Sequence, residues 1–143
     1  RDILAVPGPM LAGELEYRRG NYDVAFVNLR KAVDLYDTLN YSEPWSWMMP
    51  PRHALGALLL EQGHVEEAAA VYRADLGLDD TLVRPSQHLN NIWSLVGYAE
   101  CCEKSGDVKA FEAIRPELEK ARMIADISIT VSCFCRTEHE CCE

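Results

Sequence analysis

Gly20, Gly63 and Gly106 stand at one interval of 43 residues, and the words that open on them rhyme: GNYDVA, GHVEEA and GDVKA. An apolar residue follows each glycine two positions later, at Tyr22, Val65 and Val108. An alanine closes each word, at Ala25, Ala68 and, one position early, Ala110. A glycine that ends one apolar-periodic run just before the next begins is the punctuation of a helical hairpin. A single hairpin cannot bury its own apolar face. Repetition at a fixed interval therefore predicts stacked hairpins that share a continuous core.

The chain of 143 residues is long enough for one ordinary domain or a short solenoid. Its apolar fraction of 48% and charged fraction of 26% belong to a folded chain rather than a disordered one. Fourteen basic and 23 acidic side chains leave a net charge of -9. That balance argues against nucleic acid or an anionic membrane as partner, since both demand a basic face. The one short basic candidate, Tyr17-Arg18-Arg19, reads as a solvated helix edge. No apolar run approaches membrane-spanning length. The opening RDILAVPGPM lacks both an initiator methionine and a signal-peptide plan; such a start fits a cut inside a longer protein and says little about export.

The coarse reading is all-helical. The first unit covers about 9–37, with one helix through MLAGELEYRR to Gly20 and a second through YDVAFVNLRKAVDLY. The second helix sets Tyr22, Ala25, Phe26, Leu29, Ala32, Val33 and Tyr36 near one face, which is helical spacing. The second unit covers about 50–77: Pro51 suits a first helical turn, RHALGALLLEQ closes at Gly63, and VEEAAAVYRADL ends near Gly77. Gly56 inside that helix predicts a close crossing, with Ala68 as its expected counterpart. The third unit, about 90–120, is degenerate. Cys102 stands 43 positions after Leu59 and should fill the same inward slot as a small hydrophobe; Cys101, one position away, should be partly exposed. Pro116 either interrupts the last helix or starts a new turn, and PELEKARMIADI reads as a capping helix to about 128. Residues 129–143 form a cysteine-rich tail.

The second unit resembles a tetratricopeptide repeat, through Leu55, Gly56, Leu59, Gly63, Ala68, Tyr72 and Leu76. The first is similar through Gly13, Gly20, Tyr22, Ala25, Leu29 and Ala32. The third keeps Gly106 and Val108, has Ala99 for the early glycine, and puts Phe111 where the family has a small residue. The wording EPW-W-M-PPRHALG also resembles uncharacterised bacterial and fungal proteins with such repeats, a likeness that brings no established activity. The resemblance covers about residues 9–120. It implies a right-handed superhelical stack of three helix-turn-helix hairpins, an all-α solenoid that binds a protein or peptide as a scaffold or adaptor. The family unit is about 34 residues, so each of two connections holds about nine extra residues. Both additions, NYSEPWSWMMPP and LDDTLVRPSQHLNN, should fall on the same edge of the fold.

The resemblance also implies a groove along the first helices. Its inward positions are Glu14, Tyr17 and Arg18; then His53, Ala57, Leu60 and Glu61; then Trp93, Glu100 and Lys104. The subclass that clamps a terminal carboxylate uses Lys, Arg and Asn there. Met10, Glu14, His53 and Ala57 stand in their place, which excludes that ligand and favours a partly basic or apolar peptide. Trp45 and Trp47, among the prolines and methionines of the first addition, either cover a gap between hairpins or form an aromatic wall beside the groove.

The tail, SCFCRTEHECC, gathers Cys133, Cys135, His139, Cys141 and Cys142. Thiolates and imidazole suit zinc or copper(I), although the spacing is not that of a zinc ribbon. Disulfide formation, linkage to a second chain as in a homodimer, or free redox-labile thiols are the alternatives. Crowding of four cysteines at one end is unlike a secreted disulfide framework, which points to a reducing, cytoplasmic setting. A metal-binding or thiol-redox accessory protein is thus the second functional expectation. Catalysis is the weakest: His53 and His88 have no nucleophile at a recognisable spacing, and Glu66 and Glu67 read as a solvated edge.

Overall fold

The computed structural model describes residues 2–45 and 47–136. Among these, six α-helices carry the fold: α1 (Pro7–Arg18), α2 (Tyr22–Asp37), α3 (Pro51–Glu61), α4 (Val65–Leu76), α5 (Ile92–Ser105) and α6 (Val108–Ile124). Short 3-10 turns precede α1, at Asp2–Ala5, and α5, at Arg84–Ser86. Each helix packs on the next in sequence, and α3 also packs on α5. The arrangement is an all-α stack of sequential hairpins.

The 43-residue rhythm has a direct cause. Gly20, Gly63 and Gly106 all lie at positive φ, at 80°, 79° and 73°. A Cβ on any of them would meet nothing within 4 Å, so backbone conformation alone calls for glycine there. The second helices follow at Tyr22, Val65 and Val108, in the same register. Pro7 and Pro51 stand in first turns, where a missing amide hydrogen is harmless. Asn91 and Asp107 cap α5 and α6 by accepting the Ser94 and Ala110 amides at 2.8 and 3.0 Å.

Helix α3 lies at the centre. Every residue from Pro51 to Leu60 is buried, as expected of a helix covered on all sides. The close crossing expected at Gly56 is present, but its counterpart is Tyr72, not Ala68. The Tyr72 ring passes between Gly56 of α3 and Gly97 of α5, so close to both that a Cβ on either would collide with it. Gly13 meets Leu29 in the equivalent place of the first hairpin. The crossing needs a bulky residue sixteen positions after the glycine. A small residue at the alanine position lets the helices approach but does not fill the space.

Other details differ from expectation. Tyr17 is buried rather than on a solvated edge, and Cys101 is as buried as Cys102. Burial pushes the Cys101 thiol up to about 12, which makes it a structural rather than a reactive group. Pro116 neither breaks nor restarts the last helix. It lies on the solvent side of α6, and α6 runs unbroken to Ile124. Only Ile114 and Leu118 of α6 are buried, with Ala110, Phe111 and Ala121 packed half-buried beside them. The Trp-rich addition and the second addition do share an edge: Trp45 packs on His88 with ring centroids 4.1 Å apart.

These contacts separate two glycine roles. Gly97→Ala should destabilise by about 2 kcal/mol through collision with Tyr72. Gly63→Ala should cost about 1 kcal/mol through backbone strain alone. Urea denaturation of the two variants should rank them in that order; the reverse order would contradict the Tyr72 crossing.

Candidate functional site

A buried carboxylate organises one end of the stack. Asp75, in the last turn of α4, is fully buried. Its side chain pairs with His53 Nε2 at 3.1 Å and His88 Nδ1 at 2.6 Å. It also accepts from Asn91 Nδ2 at 3.0 Å and Ser94 Oγ at 2.6 Å. The His88 amide donates to the Asp75 carbonyl at 2.7 Å. One residue thus ties α3, α5 and the second addition to the end of α4. Burial alone would raise the Asp75 carboxyl, but the hydrogen bonds from His53 and His88 outweigh it and hold the group below the usual carboxylate range. His88 Nε2 lies 3.0 Å from the Tyr36 hydroxyl. Burial, aided by the Asp75 charge, pushes that phenol up to about 12, so it remains a donor.

Next to this hub is a cavity of about 450 Å³. Glu14, His53 and Trp93 reach it from α1, α3 and α5. Trp45, Met48, Met49 and Pro50 line it from the first addition. Ser132, Cys133, Phe134 and Cys135 line it from the C-terminal segment. Trp93 and Phe134 meet edge to face at 5.0 Å. Met48, Met49 and Phe134 are mostly exposed, which gives the cavity an apolar rim. Glu14 is the acidic group of the lining; burial raises its carboxyl, and the Arg18 charge opposes the rise. Trp47 does not line this cavity. It packs against the core, with its indole nitrogen buried and without a hydrogen-bond partner among the described residues.

The expected groove residues divide into four groups. Glu14, His53 and Trp93 line the cavity, while Ala57 and Leu60 are buried beneath the surface. Tyr17 donates to Glu61 and accepts from Gln62 Nε2 at 2.8 Å. The remaining three are engaged by or near the C-terminal segment. Arg18 donates to the Cys135 carbonyl. Glu100 pairs with Arg136 at 2.6 Å and with Lys104 at 3.7 Å. The Tyr72 hydroxyl, having passed between α3 and α5, shares a hydrogen bond with Ser132. The segment from Ile129 to Arg136 therefore lies across the first helices instead of extending away as an exposed tail.

Cys133 and Cys135 are joined by a disulfide, with Cα atoms 5.1 Å apart. A sulfur in a disulfide carries no thiolate to offer a metal ion. Among the described residues there is no cluster of three or more metal-ligating side chains. His139, Cys141 and Cys142, expected as further ligands, lie outside the described residues. No described helix is long and apolar enough to cross a membrane. Glu67, read as a solvated edge, accepts both arms of Arg30 at 2.7 and 2.9 Å.

Asp75, Met48, Met49 and Phe134 were not expected at a site. Asp75 had one signal: it continues the buried spacing Ala68, Tyr72, where a carboxylate demands partners. Comparison with family models, characterised proteins and solved structures returns no match.

Asp75→Asn should lower stability at neutral pH by about 3 kcal/mol, because it leaves two imidazoles and two further donors without their charge. The folded carboxyl titrates below its unfolded value of about 3.9, so its contribution is complete above that pH and is lost as pH falls through the folded value. Wild type and variant should therefore converge in acid. Urea titrations between about pH 7 and pH 2.5 test this; a constant gap would contradict a stabilising Asp75 charge.

Proposed function

We propose that the chain is a tetratricopeptide-like right-handed solenoid of three hairpins that binds a protein or peptide as a scaffold or adaptor. The observation that carries this reading is the convergence of α1, α3, α5, the Trp-rich addition and the C-terminal segment on one apolar cavity. Its volume suits one or two large side chains, and its methionines suit anchors of varied shape. Glu14 at this wall favours a basic residue beside the apolar anchor. The net charge of -9 fits the same partner and opposes nucleic acid. A cytoplasmic setting accords with the two buried free thiols, Cys101 and Cys102, and makes the Cys133–Cys135 disulfide one of the transient, exchanging kind found in such a compartment.

The ligand enters between the first addition and the C-terminal segment. It reaches Trp93 and leaves the Asp75 hub intact behind His53. Of the other inward positions, Ala57 and Leu60 lie in the core, and Arg18 and Glu100 hold the C-terminal wall of the cavity instead of touching the ligand.

A short peptide with Phe next to Lys should quench tryptophan fluorescence on binding. Trp93→Ala should weaken it about tenfold or more, as loss of an aromatic anchor does. Glu14→Gln should remove the preference for Lys over a neutral residue. For wild type, affinity for the Lys peptide should rise with pH as Glu14, whose carboxyl is raised, ionises. Equal affinity of wild type and Trp93→Ala would end the assignment of this cavity.

A further inference from the structure

The wall of this cavity contains a disulfide bond. Cys133 and Cys135 form a disulfide two residues apart, and both line the same space as Trp93 and Phe134. The two sulfurs are not equivalent. Cys133 is buried at 7% exposure, whereas Cys135 is only partly covered. The Cys135 amide donates to Cys133 Sγ at 3.1 Å. The Arg18 guanidinium donates to the Cys135 carbonyl and holds this residue against α1.

We infer that the cavity captures a cysteine-bearing peptide covalently, by thiol–disulfide exchange at Cys135. The proposal rests on the binding reading above and adds to it the identity of the residue bound. The incoming thiol loses its proton to water. Its thiolate attacks Cys135 Sγ in line with the existing bond, and the bond to Cys133 breaks. The electron pair leaves on Cys133 Sγ, where the Cys135 amide already donates. The products are a mixed disulfide between Cys135 and the peptide and a Cys133 thiolate, which takes a proton from water. No external oxidant or reductant enters, because one disulfide replaces another. Attack at Cys133 instead is disfavoured by its burial.

Two features of the cavity define the peptide. The aromatic and methionine lining takes an apolar side chain, and Glu14 takes a basic one. A cysteine flanked by Phe and Lys meets both, whereas glutathione, polar and anionic, meets neither. The cavity therefore selects among thiols by their neighbours, which an exposed disulfide would not do. Ser132 immediately precedes the pair and is held by Tyr72, so the disulfide sits on a segment anchored to the stack.

The test uses the full chain with Cys141→Ser and Cys142→Ser, so that no other tail thiol competes, and with the Cys133–Cys135 bond verified by intact mass. The protein is mixed with an acetylated Lys-Phe-Cys peptide, with the same peptide carrying Ser for Cys, or with glutathione. Adducts are quenched in acid and mapped. The expected result is one peptide on Cys135, formed at least tenfold faster than the glutathione adduct, with Trp93→Ala reducing that advantage to near unity. Glu14→Gln should reduce the advantage severalfold. Equal rates for the two thiols, an adduct mapped to Cys133, or absence of the disulfide overturns the proposal. The Ser peptide separates the two readings. If it binds and the Cys peptide forms no adduct, capture is wrong and binding stands; if it does not bind, the cavity assignment and capture both fall.

Discussion

The Asp75 carboxylate is the constraint on which the working end of this protein depends. A charge taken out of water costs several kcal/mol unless its oxygens are met by donors. Here the donors come from α3, from the second addition and from the first turn of α5. None of these elements can shift register without leaving the charge exposed to an apolar interior. Hydrophobic packing would tolerate small slides of one helix past another; the hub does not. The result is a fixed orientation for His53 in the cavity wall, and a fixed seat for His88, on which Trp45 rests. The position of the aromatic wall thus follows from the satisfaction of one buried ion.

A second constraint, steric rather than electrostatic, connects the core to the C-terminal segment. Tyr72 buries its whole ring and yet delivers its hydroxyl to the face of the first helices. It does so because Gly56 and Gly97 leave a slot between α3 and α5. The hydroxyl finds Ser132 there, which satisfies a buried polar atom that would otherwise be costly. Arg18 and Glu100 hold the following residues on either side. The segment that carries Cys133 and Cys135 is therefore positioned by three contacts from three parts of the stack.

The helical stack was legible because its signals are local. Gly20, Gly63 and Gly106 each force a positive φ, and the apolar spacing after them is helical. The hub was not legible. Asp75 and its partners lie 13 to 22 residues apart, across three elements, and nothing in the immediate surroundings of His53 or His88 marks them as a pair. Gly56 signalled a close approach correctly, but not which residue approached; choosing between Ala68 and Tyr72 requires knowing the depth of the crossing. The placement of the tail was the least accessible. Arg18 and Cys135 are 117 residues apart, and no periodicity connects them. Of the expected groove, Glu14, His53 and Trp93 line the cavity, while Leu60 is buried in α3 and Arg18 and Glu100 hold the C-terminal segment.

The added residues acquire a purpose from this arrangement. A hairpin stack of uniform short units presents a shallow face, whose apolar groups water can reach. Here the first addition supplies Trp45, Met48 and Met49 on one side, and the C-terminal segment supplies Phe134 on the other. Together they raise walls over His53 and Trp93 and turn an open face into a cavity. Enclosure strengthens each contact that a ligand makes, both by burying more of its apolar area and by reducing the screening around Glu14. The Cys133–Cys135 disulfide lies in this wall. The 43-residue interval is then not a distorted short repeat. The hairpins that turn at the glycines build the support, and residues between and after the hairpins supply much of the cavity lining.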